Sequence, residues 1–352
     1  MLLPSDPAPS FFAATRGNPR FAFDLAAGRY LLVAVVADGD DAFVETVQGL
    51  LAAQAQRFDG ANLAFFGLMR EPDRWAGSED RLPGVRWMLD QSGAAFTALD
   101  ATEGSSWLLI DPNFRVLAAL PAAETELMAR ILPGLPPPTA HAGVDLFAPV
   151  LVVPRLFELD LCQTLVSAYE AEGGESSGFM REIDGRTVEV RDPNHKIRRD
   201  VMLPPGQLRD AVRARIQRRL TPQIAKAFQF HVTRMERDLI ACYDAADNGF
   251  FRAHRDNTTA GTAHRRFAVT INLNAEDHEG GELRFPEFGP RTYRAPTGGA
   301  IVFSCSLLHE ALPVTKGKRY AFLPFLYDEE AAQLRERNAG QVGTDGSDYR
   351  AS

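Results

Sequence analysis

Three consecutive prolines, at positions 136–138, interrupt the chain within the segment ILPGLPPPTAHAGVD, residues 131–145. Proline lacks a backbone N–H and fixes its own φ angle, so neither a helix nor the interior of a sheet continues through such a run. The hydrophobic periodicity that precedes the prolines also ends there. The sequence therefore predicts two domains, residues 1–135 and 150–330, with a Pro-rich linker at 136–149 and a polar tail at 331–352.

The composition allows one large core or two of moderate size, and the length favours two. Of the 352 residues, 45% are hydrophobic and 24% are charged, and the formal net charge is -8. This charge makes nucleic acid an unexpected main partner, because phosphate binding needs a basic face. No apolar run reaches the length of about 18 residues that a membrane helix needs, and the N-terminus lacks the basic-then-apolar order of a secretory signal. We expect a cytoplasmic protein with no membrane partner.

The first domain shows the pattern of a βαβ unit. GRYLLVAVVA (28–37) predicts a buried strand, DAFVETVQGLLAAQAQRF (41–58) an amphipathic helix, and ANLAFFGLM (61–69) a second strand. Pro112-Asn113 between two apolar runs indicates a hairpin, and AAETELMARIL indicates a closing helix. This order resembles a thioredoxin-like α/β fold, and WLLIDPNFRVLAAL is similar to the late hairpin of peroxiredoxins.

The reactive cysteine of those redox proteins is missing here. It would follow the first long strand, where this sequence has Ala37, Asp38, Gly39 and Asp40. The cysteines of the chain, Cys162, Cys242 and Cys305, all lie later, inside apolar runs and without CxxC spacing, so neither a disulfide framework nor a zinc site is expected. Since thiol chemistry needs a sulfur atom, we expect no thiol peroxidase activity. The resemblance implies a degenerate fold with a structural, substrate-presenting or dimerising role, the last giving a homodimer.

The second domain begins with a strand and a helix and continues into β-structure. LVVPRLFELDLCQTLVSAYEAE (151–172) predicts both elements, with Asp160 as N-cap. Residues 173–200 are polar and irregular, which favours a flap. A helix predicted over 207–228 leads into short alternating strands from about 230 to 327, the signature of a mainly β sandwich or barrel.

Three residues of this domain form a candidate metal site. His254 and Asp256 are two positions apart on a segment predicted to be extended, so both side chains leave the same face. His309 ends the apolar run AIVFSCSLLHE, where a buried imidazole needs a partner. Two imidazoles and one carboxylate form the facial triad that suits Fe(II) and leaves coordination positions open.

A basic residue follows this triad. Arg319 lies in KGKRYAFLPF and alternates with Tyr320 and Phe322 along a predicted strand. A guanidinium that points inward can bind a carboxylate through two parallel hydrogen bonds. Without its context, Arg319 would instead be read as a solvated surface charge.

The ordered set of motifs resembles the prolyl 4-hydroxylase-like branch of the Fe(II)/2-oxoglutarate dioxygenases. The elements run in order along residues 150–328: HRD (254–256), Arg265, INLN (271–274), GGELRFP (280–286), PTGGAIVF (296–303), His309, PVTKGK and Arg319. The resemblance implies a double-stranded β-helix (jelly-roll) domain with Fe(II), 2-oxoglutarate and O2, and with ascorbate as reductant. It implies His254, Asp256 and His309 as catalytic metal ligands and Arg319 as the cosubstrate anchor.

The implied reaction hydroxylates a C–H bond of a peptidyl or amino-acid side chain and releases succinate and CO2. The substrate would be a peptide, a protein or an amino acid. The alternative is a metal-loaded but catalytically idle sensor or adaptor protein, against which the intact ligands and anchor argue.

The sequence departs from the family pattern at several positions. The prolyl enzymes usually have lysine where Arg319 stands, which puts a prolyl substrate in doubt. Two usual tyrosines are replaced by Asn272 and Phe251, and Tyr243 is the candidate for the upstream tyrosine's role in cosubstrate binding.

Other polar residues keep two interpretations. Thr270 and Asn272 share one face of a strand, which either lines the cosubstrate pocket or faces solvent. His195, Arg198 and Arg199 either contact an acidic substrate or form a solvated charge run. His231, His264 and His278 have no ligand-like companion in the sequence.

Overall fold

The structure is a computed structural model and describes residues 2–101 and 104–343. Its contacts divide the chain into two compact units. The first ends at Ala148 and also includes Phe285–Arg291, and the second comprises Pro149–Arg284 and resumes at Thr292. The domain boundaries of the sequence analysis remain a prediction. Within the predicted tail, Glu329–Asn338 forms a helix that buries Ala331, and residues 344–352 lie outside the described residues.

The first unit is built on a seven-stranded mixed sheet in the order β2-β1-β5-β4-β3-β6-β7. Its strands are β1 (Phe12–Thr15), β2 (Asn18–Ala22), β3 (Tyr30–Val35), β4 (Leu63–Met69), β5 (Val85–Leu89), β6 (Ser106–Ile110) and β7 (Val116–Pro121). Its helices are α1 (Asp41–Ala53), α2 (Pro72–Gly77), α3 (Ala94–Ala98) and α4 (Thr125–Ile131).

The predicted βαβ unit of the first unit is confirmed. β3 and β4 pair in parallel, because α1 carries the chain back to the starting edge, and the predicted hairpin pairs β6 with β7. Asp40, at the position where a redox cysteine would be expected, caps α1 by accepting a hydrogen bond from the Phe43 N–H at 3.1 Å. This segment therefore starts a helix and carries no sulfur.

The second unit contains a five-stranded and a nine-stranded antiparallel sheet together with two short two-stranded ribbons. Its strands are β8 (Leu151–Val153), β9 (Glu175–Ser176), β10 (Phe179–Ile183), β11 (Arg186–Val190), β12 (Lys196–Ile197), β13 (Arg199–Met202), β14 (Arg234–Glu236), β15 (Leu239–Asp244), β16 (Phe250–His254), β17 (Phe267–Asn272), β18 (Glu279–Gly280), β19 (Leu283–Arg284), β20 (Thr292–Tyr293), β21 (Ala300–Ser304), β22 (His309–Ala311), β23 (Val314–Lys316), β24 (Lys318–Phe322) and β25 (Phe325–Tyr327). Its helices are α5 (Leu159–Glu172), α6 (Gln207–Arg215), α7 (Thr221–Phe228) and α8 (Glu329–Asn338).

The nine-stranded sheet has two different faces, because side chains alternate along each strand. Val269, Ile271 and Phe322 point to one face and pack with α5, α6 and α7 in the main core. The opposite face contributes Ala241 and Tyr243 to a smaller cluster with Phe251 of the five-stranded sheet. The second cluster places the two sheets of this unit against each other.

Three local predictions for the second unit are corrected. The helix predicted over 207–228 is divided by a π-helical turn at Ile216–Leu220, because Pro222 has no N–H to continue the α-helical ladder. Residue Glu158, not Asp160, precedes the first turn of α5. The supposedly irregular segment 173–200 forms the hairpin β10–β11, whose turn has positive φ at Asp184 and Gly185, as a type I′ turn requires.

Among the described residues, no helix combines the length and the apolar character needed to cross a bilayer.

Candidate active site

Two neighbouring strands of the five-stranded sheet bring the two candidate imidazole ligands together. β16 pairs with β22 in antiparallel register, and His254 lies directly opposite His309. Asp256 follows the end of β16, and its N–H donates to the Cys305 carbonyl at 2.9 Å. The prediction that His254 and Asp256 share one extended segment is therefore correct only as far as His254, since the strand ends there.

The three side chains converge on one point. Their potential ligand atoms all lie within 4.8 Å of one another. The Asp256 carboxylate is 3.6 Å from Nε2 of His254 and 3.3 Å from Nε2 of His309. His309 is buried, whereas His254 and Asp256 are partly exposed, which leaves one side of the cluster accessible.

Backbone carbonyls fix the tautomer of both imidazoles. Nδ1 of His254 lies 2.7 Å from the Arg252 carbonyl, and Nδ1 of His309 lies 3.0 Å from the Leu307 carbonyl. A carbonyl only accepts hydrogen bonds, so each Nδ1 must carry the proton. In the neutral ring, Nε2 then keeps its lone pair for a metal, the arrangement found for most metal-binding histidines.

The electrostatics of the cluster keep its acid ionised. Burial alone would raise the pKa of Asp256, but His309 and His254, when their rings also carry a proton on Nε2, hold that pKa well below its usual range through charge and hydrogen bonding. Burial, together with the charge of His309, lowers the pKa of His254. An ionised carboxylate beside a neutral imidazole is the state in which these groups bind a cation.

Aromatic rings hold the imidazoles in place. The Phe251 ring stacks on His254 with centroids 3.6 Å apart, and the Phe303 ring packs against His309 at 4.6 Å. His195 lies further out, 6.5 Å from the His254 ring, and contacts Phe179 and Phe251. These contacts restrict rotation of the imidazole rings and place aromatic rings on one side of the candidate metal site.

The donor set fits an iron ion. Two imidazoles whose Nε2 atoms lie beside one carboxylate are the ligand types of a facial triad, which suits Fe(II). In the part of the chain that the structure describes, no other group of three histidine, cysteine or acidic residues is placed to hold a metal.

Arg319 lies in the neighbouring nine-stranded sheet, on the face that packs towards Phe251. Tyr243 of β15 lies directly opposite Arg319 of β24, so both side chains leave the same face, and the Arg319 guanidinium is 5.0 Å from the centre of the Tyr243 ring. Both residues are buried. Nη1 of Arg319 has no hydrogen-bond partner among the described residues. A buried cation in this state is costly unless an anion binds beside it.

Gly281 makes room for this guanidinium. It has φ +75°, and a Cβ atom there would lie 2.9 Å from Cδ of Arg319. A side chain at this position would push Arg319 aside, so the second glycine of the GGEL segment provides space as well as a turn.

Thr270 and Asn272 are buried on the face of β17 that corresponds to Arg319, because Asn272 pairs with Ala321, two residues further along β24. The solvent-facing interpretation of these two residues is therefore wrong. The amide of Asn272 donates to the Ala295 carbonyl at 2.6 Å and so has a structural partner. A role of either residue in cosubstrate binding remains a prediction.

Sequence reasoning missed two buried charge clusters. Arg198 is buried and forms an ion pair with Asp200, contrary to its interpretation as part of a solvated charge run, whereas Arg199 is exposed. His264, which had no companion in the sequence, lies 2.9 Å from Glu236. The i, i+2 spacing of Arg198 and Asp200 on an extended segment was the only available signal for the first cluster.

Comparison with known proteins identifies relatives of the second unit. The family model described as the 2OG-Fe(II) oxygenase superfamily matches residues 239–327. A PKHD-type hydroxylase of Synechococcus sp. (strain JA-2-3B'a(2-13)) is 36% identical over 89 residues, which are 24% of this chain and 39% of that protein. A PKHD-type hydroxylase of Pseudomonas fluorescens (strain Pf0-1) is 28% identical over 187 residues, 49% of this chain and 75% of the relative.

Among solved structures, a Pseudomonas putida prolyl-4-hydroxylase has a TM-score of 0.40 and 21% identity, covering 51% of this chain and 94% of its own. The chain spans less than half the length of the first relative named above. The matched segment includes all three residues of the candidate metal site as well as Tyr243 and Arg319. Residues 239–327 thus carry the pattern of the 2OG-Fe(II) oxygenase superfamily, whose cofactors are Fe(II) and 2-oxoglutarate, and His254, Asp256 and His309 form a potential iron site.

Proposed function

We propose that the second unit is an Fe(II)- and 2-oxoglutarate-dependent hydroxylase acting on a peptidyl or amino-acid side chain. One observation carries the proposal: three metal-ligand side chains converge within 4.8 Å in the same unit as a buried guanidinium that lacks a full set of partners. The superfamily match and the hydroxylase names of the relatives support it. The two packed antiparallel sheets would form the jelly roll.

Each residue has a defined part in this reaction. Iron, with 2-oxoglutarate and O2, would supply the oxidising power that converts C–H to C–OH while the cosubstrate becomes succinate and CO2. His254, Asp256 and His309 would hold the ion, and the carbonyls at Nδ1 keep both Nε2 atoms on the side of the Asp256 carboxylate. Arg319 would bind the distal carboxylate, and Phe251 would exclude water beside His254.

The first unit would then be a thioredoxin/peroxiredoxin-like domain without redox chemistry. The parallel β3–α1–β4 unit and the β6–β7 hairpin support this proposal, and the sequence has no cysteine before Cys162. A structural, dimerising or substrate-presenting role remains its proposed contribution.

The test is succinate formation by the purified chain with Fe(II), ascorbate and 2-oxoglutarate, across a panel of peptides and amino acids. We expect peptide-stimulated succinate, and we expect Asp256→Ala to abolish it together with metal binding. Asp247→Ala, which removes an exposed carboxylate, is the matched control and should retain activity. A wild-type chain that binds the metal but forms no succinate, with or without peptide, would instead be an idle sensor or adaptor.

A further inference from the structure

The second unit buries an ion pair close to the proposed cosubstrate anchor. Arg198 donates to Asp200 through Nε and through Nη2, both at 2.6 Å, and the two side chains are 5% and 10% exposed. A buried ion pair of this kind contributes little to stability, since desolvation offsets most of the attraction. Its presence therefore calls for another role.

The remaining end of the Arg198 guanidinium contacts Tyr243. Nη1 of Arg198 lies 3.4 Å from the Tyr243 hydroxyl oxygen. A guanidinium can only donate hydrogen bonds, so the phenol oxygen is the acceptor in this contact. The hydroxyl proton of Tyr243 is then available for a different acceptor.

Tyr243 in turn lies beside the anchor. It pairs with Arg319 across β15 and β24, and Arg319 is buried with Nη1 lacking a partner among the described residues. Asp200 already occupies Arg198 through two hydrogen bonds, so an incoming anion would bind Arg319 rather than Arg198. A carboxylate bound there would accept from Arg319 and from the Tyr243 hydroxyl together.

We propose that Arg198 is a positioning residue for the cosubstrate: held by Asp200, it makes the Tyr243 hydroxyl a donor to the distal carboxylate that Arg319 binds. This inference rests on the proposed function, because it needs 2-oxoglutarate in the site. It adds to that function a residue from a segment, β12–β13, that lies outside the matched range 239–327.

The test measures equilibrium binding by calorimetry to the Mn(II)-loaded chain, so that turnover plays no part. The ligands are 2-oxoglutarate and 2-oxobutyrate, which shares the 2-oxo acid end but lacks the distal carboxylate. The variant is the double substitution Arg198→Met with Asp200→Leu, which removes both members of the ion pair together. We expect 2-oxoglutarate binding to weaken about tenfold, as loss of one hydrogen bond to a charged group would give, and 2-oxobutyrate binding to stay unchanged.

A second comparison separates positioning from a general structural role. In a Tyr243→Phe background, removal of the Arg198–Asp200 pair should weaken 2-oxoglutarate binding no further, because its effect passes through the hydroxyl. The matched control removes Arg213 and Asp238, another close ion pair of the same unit, by Arg213→Met with Asp238→Leu, and should leave binding of both ligands unchanged.

The outcomes are distinct. Unchanged 2-oxoglutarate binding in the pair variant, or an equal loss for both oxo acids, would overturn the inference while leaving the proposed function standing. An additive loss in the Tyr243→Phe background would also overturn it. If the wild-type chain bound neither oxo acid, the proposed function itself would fail.

Discussion

The two units bury very different kinds of side chain. Among the described residues, the first unit buries few polar groups: Thr15, Ser78, Asp90 and, in its segment 285–291, Glu287. The second buries many, several of them charged: Thr187, Lys196, Arg198, Glu236, Asp238, Thr259, Thr262, His264, Arg265, Thr270, Asn272, His278, His309 and Arg319. The first core consists of apolar sheet faces packed with aromatic rings, such as Phe65 against Trp87.

This difference indicates what stabilises each unit and what each unit must compensate. An apolar core stabilises a fold through burial alone, whereas each buried charge costs free energy unless a partner is placed beside it. The second unit accepts that cost in a region that includes the candidate metal ligands. Its buried ions therefore fit the binding and positioning roles proposed for the second unit, and the apolar core of the first unit fits the structural role proposed for it.

The largest stability effect should come from removing one shared carboxylate of the second unit. Glu236 contacts Arg265 at 2.6 Å, His264 at 2.9 Å and Arg335 at 3.4 Å. Glu236→Leu should lower the free energy of unfolding of this unit by roughly 3–5 kcal/mol, because it takes the counter-charge away from buried cations. Hydrogen exchange resolved by region measures the effect for each unit separately.

Glu236→Gln is the control, since it keeps the shape and one acceptor, and it should cost less than Glu236→Leu. Hydrogen exchange in the first unit should not change in either variant. A cost below about 1 kcal/mol for Glu236→Leu would show that the cluster is not held by this carboxylate.

Acid should destabilise the second unit, because its buried carboxylates are paired with cations. Burial by itself would raise the pKa of Glu236, but the charge of Arg265 and the hydrogen bond from His264 hold that pKa well below its usual range. A carboxyl whose pKa is lower in the folded state contributes stability that is complete above its unfolded pKa and is lost as the pH falls below that value. The pKa of Asp200, beside Arg198, is also lowered, so its pH dependence has the same direction.

We therefore expect hydrogen-exchange protection of the second unit to fall progressively below about pH 4.5. Glu236→Gln should flatten this dependence, because the group that titrates is gone. An acid profile that is the same in wild type and variant would contradict the assignment to Glu236.

The sequence predicts the local elements of the first unit well, but it does not predict which strands of the second unit lie side by side. Apolar runs of the first unit identify β3, α1 and β4, because burial of a whole strand or helix face leaves a local pattern. Spacing and motif order predict the candidate ligands, and the structure brings His254, Asp256 and His309 together. That β16 lies beside β22 is a long-range pairing that no local pattern contains.

Buried charges are harder to predict than buried apolar residues. Arg198, Glu236 and His264 have the composition of a solvated surface in the sequence, and only their partners on other strands make burial tolerable. The stacking of Phe251 on His254 was also not predicted. In the sequence this position showed only that a family tyrosine is replaced.

A smaller effect is expected at the best-satisfied buried acid of the first unit. Asp90 accepts hydrogen bonds from the N–H groups of Ala95 and Phe96, at 2.7 and 3.1 Å, and from the Ser92 hydroxyl at 2.8 Å. Asp90→Ala should cost about 1–2 kcal/mol, because two buried N–H groups at the start of α3 lose their acceptor. Asp90→Asn keeps one acceptor and should cost less, and the second unit should be unaffected in both variants. A loss as large as that for Glu236→Leu would remove the contrast between the units.

The smallest effect concerns the hairpin that the sequence suggested as a flap. Thr187 of β11 is buried, its hydroxyl accepts from the Gly261 N–H at 2.8 Å, and its carbonyl accepts from the Gly343 N–H at 2.8 Å. Thr187→Val keeps the shape and loses only the hydroxyl, so it should cost about 1 kcal/mol and speed amide exchange in β10 and β11. Thr187→Ser retains the hydroxyl and should keep most of the protection. If serine and valine accelerate exchange equally, the methyl group and not the hydrogen bond holds the hairpin, and the segment is secured by packing, as the core of the first unit is.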